Sequence, residues 1–492
     1  MAFTNSTNKI ATKKLIKKID AKLSGRVSTN EVKIDRVLEG QGRVAVSNLE
    51  RVGDGLQVSG SVVAELLYIN SDKQLSCETL VLDYSERVRL SGAEELFVLP
   101  RIKDIKLTME SDSQISAGIV VEFAVFGVVY DEVQFVSGVD EGCHTTTREV
   151  EINQLVASTN TNFSLSTQLE MPDNAKYLTS NALTSVTSVV AHQNYVEIEG
   201  STVLDIWVQE GEQFKKVQKT VDFNEEIPLL NSQEGFMVDF AFYDRAINIS
   251  EEDKVADINI GVALWVMESS KTTIIDDAFS EKEVLDLTIS NFDNVELEPV
   301  RIFSERKTVI VDTASKKRVD EILFVGAIKT EIDQASNAEM GIAVEGSLSF
   351  PIIYKNYDND DIISTTLSAP FDIVVSTEIK DEQDVENFVH AELSARVNGY
   401  KNKAGKEISM VVDFEGQINC FSIVKEQYVE KLEKKEQITR KKSSIIVYKP
   451  KENESVFNIA KTLKISPDIL LAQNPQLENE NSCDQVVIYT KF

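Results

Sequence analysis

The sequence predicts a mainly β chain: three tandem antiparallel, sandwich-like β-domains, followed by a small α+β domain of strand–helix–helix–strand order. Three observations lead to this fold class. Apolar and polar residues alternate over long stretches that are rich in β-branched and aromatic side chains. A glycine-centred pattern of this kind occurs three times along the chain. Only nine prolines interrupt the 492 residues, so long paired strands are allowed.

Composition excludes several function classes. The chain has 80 acidic and 51 basic residues and a net charge of −29, the wrong sign for binding nucleic acid with its whole surface. It has no run of the roughly 18 apolar residues that a membrane span needs, and no apolar signal core at its N-terminus. Its four cysteines include no Cys-x-x-Cys pair, which argues against a disulfide framework. We therefore expect a soluble cytosolic protein of several domains, with no transmembrane span and no nucleic-acid partner.

Residues 1–26 form a basic arm on an otherwise acidic chain. The arm has a charge of +6, whereas residues 27–424 carry −37. Ile16, Ile19 and Leu23 have the spacing of a helical stripe. Lysines surround that stripe: Lys13, Lys14, Lys17, Lys18 and Lys22. We predict a helix that docks on an acidic protein or makes peripheral contact with a membrane. The alternative is that the arm folds back onto the acidic body of its own chain.

The body contains three phase-matched segments, each centred on a glycine. Gly60, Gly200 and Gly346 are separated by 140 and 146 residues, and apolar residues alternate in the same phase about each of them. Period-two alternation indicates a strand with one buried side. The glycine falls on that side, where a missing side chain suits a bulge or a close backbone approach. The predicted β-domains span residues 27–150, 151–300 and 301–424.

Each glycine segment is followed by a second pair of alternating strands. The predicted pairs are Phe97–Met109 with Ala117–Tyr130, Phe236–Ile249 with Val255–Met267, and Val385–Val397 with Glu407–Cys420. The first and third copies also share an upstream element, Asp35–Leu38 and Asp320–Leu323. The same elements in the same order favour a triplicated domain.

The last 68 residues differ from the body. Residues 425–443 are highly charged and predict a linker. Residues 444–492 read as a strand, a helix at Val456–Leu463, a second helix and a closing strand. Ser466 is suited to cap the second helix and Pro467 to occupy its first position.

This tail resembles a LysM domain. The matching positions are Ile459-Ala460, Ser466-Pro467, Leu470-Leu471, Asn474-Pro475 and Gln485–Ile488. The tail departs from the pattern at its first turn, where Asn453, Glu454 and Ser455 replace a glycine-containing signature. In LysM domains that turn and the region after the second helix form a groove for N-acetylglucosamine chains.

The whole chain resembles the SPOCS-domain family of spore-forming Firmicutes, and within it the SipL-type spore-coat morphogenetic proteins of clostridia. The resemblance rests on the two upstream elements, the three Gly-Ser strands, hairpins such as Tyr243–Ile249 and the LysM-like tail. It implies a non-enzymatic role, without a cofactor, in assembling the coat around the forespore in the mother-cell cytoplasm. The implied partners are coat-morphogenetic proteins such as the coat-basement ATPase, with self-association as a further expectation.

The tail is the predicted binding surface, for a partner protein or for glycan. We place this surface at Asn453, Glu454, Ser455, Phe457, Ile469 and Asn474. Phe457 falls one position off the buried helical stripe and is the predicted exposed anchor. Side chains at Asn453 and Glu454 fill the space that a sugar needs, which favours protein over glycan.

Catalytic patterns are weak. The three histidines form no metal-binding pair, and the adjacent Cys143 and His144 lack further ligands nearby in sequence. Gly399–Lys406 departs from a phosphate-binding loop in its spacing, and Asp358–Asp361 lacks the glycine of a calcium loop. We therefore predict no metal site. Two classes stay open: an assembly scaffold, or a peptidoglycan-binding LysM protein associated with the cell wall or cortex.

Overall fold

Antiparallel β-strands make up most of the computed structural model, so the prediction of a mainly β chain is confirmed. The structure describes residues 4–29, 32–89, 94–211, 213–313, 319–338, 341–358, 361–376, 386–403, 407–438, 443–451, 454–478 and 485–491. Twenty-two strands and two α-helices are formed within these ranges.

The first two sheets share one core, and we call them the first unit. Their strands are β1 (Thr4–Ser28), β2 (Ile34–Val52), β3 (Gly55–Asn70), β4 (Leu75–Arg89), β5 (Glu94–Ser111) and β6 (Gln114–Gly138). One sheet has the order β2–β3–β4 and the other β1–β6–β5. Buried side chains of both sheets, such as Val62 and Phe123, belong to a single cluster.

The predicted N-terminal helix is wrong, because residues 4–28 form β1 and pair with β6 along their whole length. Ala21 is buried in the core of the first unit, and Ile19 and Leu23 pack beside it. A register shift between Leu15 and Lys17 leaves Ile16 as an extra residue. This bulge turns a period-two pattern into the three-then-four spacing that resembles a helix. The amphipathic helix expected to dock on an acidic protein or on a membrane is therefore not formed.

The second unit repeats this arrangement. Its strands are β7 (Cys143–Gln168), β8 (Lys176–His192), β9 (Tyr195–Glu210), β10 (Gln213–Pro228), β11 (Met237–Ser250) and β12 (Val255–Ser280). The sheets have the orders β10–β9–β8 and β11–β12–β7 and again share a core. Because β7 crosses residue 150, the unit begins earlier than the predicted boundary.

The third unit contains two additional strands. Its strands are β13 (Glu283–Leu297), β14 (Arg301–Asp312), β15 (Val319–Val325), β16 (Lys329–Ala338), β17 (Gly341–Asn356), β18 (Ile362–Val375), β19 (Glu386–Lys403) and β20 (Glu407–Gln437). In one sheet β15, β16 and β18 pair with β17, and in the other β13, β14 and β19 pair with β20. Both sheets contribute to one core.

The predicted linker at 425–443 is also wrong, because β20 continues to Gln437 and pairs with β13. Tyr428, Val429 and Leu432 of this segment are buried. A register shift between Thr288 and Ile289 leaves Glu430 of β20 as an extra residue. Tyr428 packs in one apolar cluster, whereas Val429 and Leu432 pack in another. The shift breaks the alternation, so the sequence shows no apolar stripe there.

Each unit packs an aromatic ring on the glycine of its central strand. Gly60, Gly200 and Gly346 lie directly opposite Tyr84, Phe223 and Phe371 in the neighbouring strands. A Cβ atom would lie 2.6 Å from the Tyr84 hydroxyl oxygen in the first unit, and 2.7 and 2.9 Å from the Phe223 and Phe371 rings in the other two. In each unit it would also overlap a carbonyl oxygen of the preceding strand. In all three units that preceding strand has a register shift at this level. Only glycine fits such a close backbone approach.

The three units meet at one apolar cluster. Leu67, Trp207 and Ile353 each lie seven residues after the glycine of their central strand, and all three belong to this cluster. The Trp207 ring contacts Phe324 edge-on at 5.3 Å. Equivalent positions of the three units therefore face a common centre.

The remaining elements form the C-terminal region. They are β21 (Ser443–Tyr448), α1 (Val456–Leu463), α2 (Pro467–Gln473), a 3₁₀ turn at Pro475–Glu478, and β22 (Val486–Lys491). β21 and β22 are separated in sequence by the two helices and pair as a two-stranded antiparallel sheet, which we call the β21–β22 hairpin. Its inner face packs on both helices.

Candidate partner-binding site in the C-terminal region

Serines cap both helices, Ser455 at α1 and Ser466 at α2, and of these the sequence indicated Ser466 as a cap. Ser455 accepts a hydrogen bond from the Asn458 amide at 3.2 Å, and Ser466 accepts one from the Asp468 amide at the same distance. Pro467 occupies the first position of α2. Ser455 therefore acts as a helix cap, which satisfies its hydroxyl locally.

The first turn is closed by Glu454. Its carboxylate accepts hydrogen bonds from the Tyr448 hydroxyl at 3.0 Å and from the Lys451 amide at 2.9 Å. The bond to Glu454 raises the pKa of the Tyr448 hydroxyl, which stays protonated and donates. Asn453, the other predicted residue of this turn, lies outside the described residues.

Phe457 packs against the chain's own body. Its ring contacts Phe279 of β12 edge-on, with centroids 5.2 Å apart, and Phe279 is 1% exposed. Beside this contact the Lys461 ammonium lies 2.5 Å from the Asp277 carboxylate. The prediction that Phe457 is a free anchor for a partner is therefore wrong. The buried stripe of α1 lies where the sequence predicted it, but β12 covers the neighbouring side of the helix, where Phe457 lies.

Asn474 is a structural residue rather than part of a binding surface. It is 2% exposed, and its amide donates to the Leu470 carbonyl at 3.1 Å and the Val487 carbonyl at 3.0 Å. Its Oδ1 atom accepts from the Val487 amide at 3.0 Å. The side chain thereby joins the end of α2 to β22. Ile469, by contrast, is 46% exposed and stays accessible.

The basic arm residues lie on β1, in a different sheet from the tail residues. Lys14, Lys17, Lys18 and Lys22 are exposed there, and the Lys13 side chain lies outside the described part of the chain. The two groups of predicted site residues are thus carried by separate elements.

Sequence reasoning missed the outer face of the hairpin. Ile445, Val447 and Tyr489 are 66%, 61% and 65% exposed on the face opposite the helices. The signal was present: a two-stranded sheet with helices on one side leaves its other face bare, and this face is apolar.

A cleft of about 1660 Å³ lies between the three units. Some of its charged residues pair with one another. Asp205 contacts Lys216 at 2.8 Å and Arg396 at 3.4 Å, and Arg396 also contacts Asp413 at 2.7 Å. Such buried pairs join the second unit to the third. Three buried atoms of the described lining residues have no hydrogen-bond partner: Asn153 Oδ1, Arg396 Nε and Asn419 Oδ1.

A second buried pair joins the first unit to the second. Arg43 contacts Glu65 at 3.1 Å and donates to the Ser180 carbonyl at 3.0 Å. The Tyr177 hydroxyl donates to Glu65 at 2.7 Å. Burial, together with the Glu65 charge, raises the pKa of Tyr177, so the hydroxyl keeps its proton.

The other residues considered for chemistry have local roles. His144 Nε2 lies 2.8 Å from Glu281, and its ring packs on Phe279 at 5.0 Å. The described residues include no group of three or more His, Cys, Asp and Glu side chains placed to share a metal ion. The His390 side chain, like residues 359–360 and 404–406, lies outside the described part.

No protein-family model, curated protein or solved structure matches this chain. None of the helices in the described residues is long and apolar enough to cross a membrane.

Proposed function

We propose that this chain is a non-enzymatic assembly protein, a spore-coat morphogenetic scaffold that docks onto a coat-basement ATPase. In this proposal the three units are SPOCS-like β-domains, and residues 443–491 form a LysM-like domain. With the described strands as a guide, the domains span residues 4–138, 143–280 and 283–437.

The observation that carries the proposal is the threefold glycine motif joined to a strand–helix–helix–strand tail. In each unit a central-strand glycine lies under an aromatic ring and beside a bulge. Shared packing at Gly60, Gly200 and Gly346 is hard to explain by chance and supports a triplicated domain. The order of elements in the tail is that of a LysM domain.

The first turn of the tail supports a protein partner over glycan. The Glu454 carboxylate is bound to Tyr448 and to the Lys451 amide, in the turn where LysM domains admit a sugar. Displacing it would break a charge-assisted hydrogen bond to a backbone amide. Meanwhile the apolar outer face of the hairpin offers contact area that a protein partner covers better than a sugar chain does.

Affinity purification of the tagged full-length chain from sporulating cells tests this function. We expect the coat-basement ATPase among the captured proteins, and its loss when residues 443–492 are deleted. Retention of the chain on purified peptidoglycan, without capture of coat proteins, would replace the scaffold function with the glycan-binding alternative.

A further inference from the structure

Among the described residues, the β21–β22 hairpin has one completed edge and one open edge. The completed edge belongs to β22. Gln473 exchanges hydrogen bonds with the Tyr489 amide at 2.7 Å and the Tyr489 carbonyl at 3.1 Å. Asn474 does the same with the Val487 amide and carbonyl, both at 3.0 Å. Two side-chain amides thus occupy the edge at which a further strand would pair.

These bonds also determine which backbone groups of β21 point outward. Val487 and Tyr489 direct their backbone groups away from β21, and in the hairpin they lie opposite Val447 and Ile445. Opposite residues of an antiparallel pair either bond to each other or both turn outward. The N–H and C=O groups of Ile445 and Val447 therefore point away from β22. No described residue pairs with them.

The open edge adjoins the apolar outer face. The side chains of Ile445, Val447 and Tyr489 are each more than 60% exposed there. An exposed apolar edge strand is a ready template for pairing with another chain, and proteins usually protect such edges with charges, prolines or a covering element. Ser443–Tyr448 contains none of these.

The segment around β21 has a charge opposite to that of the chain. Residues 439–451 contain five basic residues and no acidic one, whereas the whole chain carries −29. Lys449 and Lys451 are exposed directly after the strand. A segment that lies along this edge therefore meets positive charge.

We propose that the outer edge of β21 is a strand-addition site for an extended segment of a partner protein, with alternating apolar residues and acidic flanks. The added strand bonds to the backbone of Ile445 and Val447, its apolar side chains pack on theirs, and its acidic flank approaches Lys449. This inference rests on the proposed assembly function and specifies the chemistry of the partner segment.

A second copy of this chain is a poorer occupant. Antiparallel pairing of two β21 strands would place the basic sequence before one strand, residues 440–442, beside Lys449 and Lys451 of the other. Like charges placed opposite each other oppose such pairing. An acidic segment gains attraction at the same positions.

Binding of a short fluorescent peptide to the full-length chain tests the site. The peptide is a stretch of alternating valine and threonine with a pair of glutamates at each end. In the matched control peptide, lysines replace these glutamates. We expect saturable binding of the acidic peptide that weakens as salt is raised, and at least about tenfold weaker binding of the basic one. Equal binding of the two peptides, or none, would overturn the proposal.

Two further readouts separate strand addition from other binding. Val447→Pro removes an outward N–H that the hairpin does not use, so we expect at least about a tenfold loss of affinity. Ile310→Ala, which changes an exposed apolar residue of β14 in the third unit, should leave affinity unchanged. In the unmodified chain, bound peptide should slow amide exchange at Ile445 and Val447 but not at Ile446, and uniform slowing would contradict edge pairing. This exchange result stands even if the proline variant fails to fold.

The inference and the proposed function fail in different ways. If the chain captures the coat-basement ATPase and Val447→Pro captures it equally well, the strand-addition site is wrong and the assembly function stands. If the peptide pairs with β21 but no coat protein is captured, the site stands and the proposed function fails. Concentration-dependent dimerisation that Val447→Pro abolishes would assign the edge to a second copy and overturn the acidic partner.

Discussion

Replacing Phe457 with alanine should loosen the C-terminal region from the body. Truncating a core phenylalanine costs about 3–5 kcal/mol. Phe457 is only half-buried, so about half of that, roughly 1.5–2.5 kcal/mol, is expected here. This total includes the edge-on contact with Phe279 at 5.2 Å, which is the kind of aromatic pair worth about 0.5–1.5 kcal/mol.

Amide exchange in α1 measures this loss. The free energy of local opening should fall by the same amount, so the amides of Ile459–Leu463 should exchange roughly 10 to 70 times faster. Ile469→Ala is the matched control, because this exposed residue of the same region should change stability by no more than about 0.5 kcal/mol.

A double-mutant cycle assigns the effect to the ring pair. Phe457→Ala combined with Phe279→Leu should show a coupling energy of about 0.5–1.5 kcal/mol. Strictly additive effects, or unchanged exchange in α1 after Phe457→Ala, would refute the contact between the tail and the body.

Three further predictions concern the body. Gly346→Ala places a Cβ atom 2.9 Å from an aromatic ring and over a carbonyl oxygen. Chemical denaturation should therefore show that the free energy of unfolding falls by more than about 2 kcal/mol. Gly399→Ala, whose Cβ atom enters open space, should lower it by no more than about 1 kcal/mol. Arg396→Ala removes the buried guanidinium that Asp205 and Asp413 share and leaves them only their contacts with Lys216 and Arg306, so it should cost about 1–3 kcal/mol in the same assay. Lys73→Ala, in an exposed pair, should cost at most about 1 kcal/mol. Burial raises the pKa of Glu39 above its ordinary value of 4.5, so its contribution to stability is full below that pH and is lost as the pH rises through the raised value. Glu39→Gln should therefore lose less stability than the unmodified chain in thermal melts taken from acidic to neutral pH, and parallel curves would show that the burial of Glu39 is unimportant.

The strand pattern could be predicted where alternation is unbroken. Around Gly200 the apolar residues keep one phase, and the segment predicted to be a strand there forms β9. The glycine itself indicated a close approach, although its aromatic partner, Phe223, lies in the next strand and was not identified.

The two wrong elements share one physical cause. An extra residue at Ile16 and a register shift beside Ile289 each move the apolar residues to the other phase. Sequence periodicity cannot separate such a bulge from a helix or from a linker without knowing the partner strand. Residues 4–28 form a strand because they pair with β6, and residues 425–437 form a strand because they pair with β13.

The sequence did not predict the contacts that the candidate tail residues make. The contact of Phe457 with Phe279 joins residues far apart in the sequence, so no local pattern reports it. Asn474 ends α2, and its role in completing the edge of β22 depends on the tertiary position of Val487.

Titration of the purified full-length chain against the purified coat-basement ATPase of the same organism is the most direct test of the assembly function. An oligomer of N-acetylglucosamine should be titrated in parallel under the same conditions. We predict saturable calorimetric binding to the ATPase, lost on deletion of residues 443–492, and no heat of binding with the oligomer. Saturable binding to the oligomer with none to the ATPase would contradict the account.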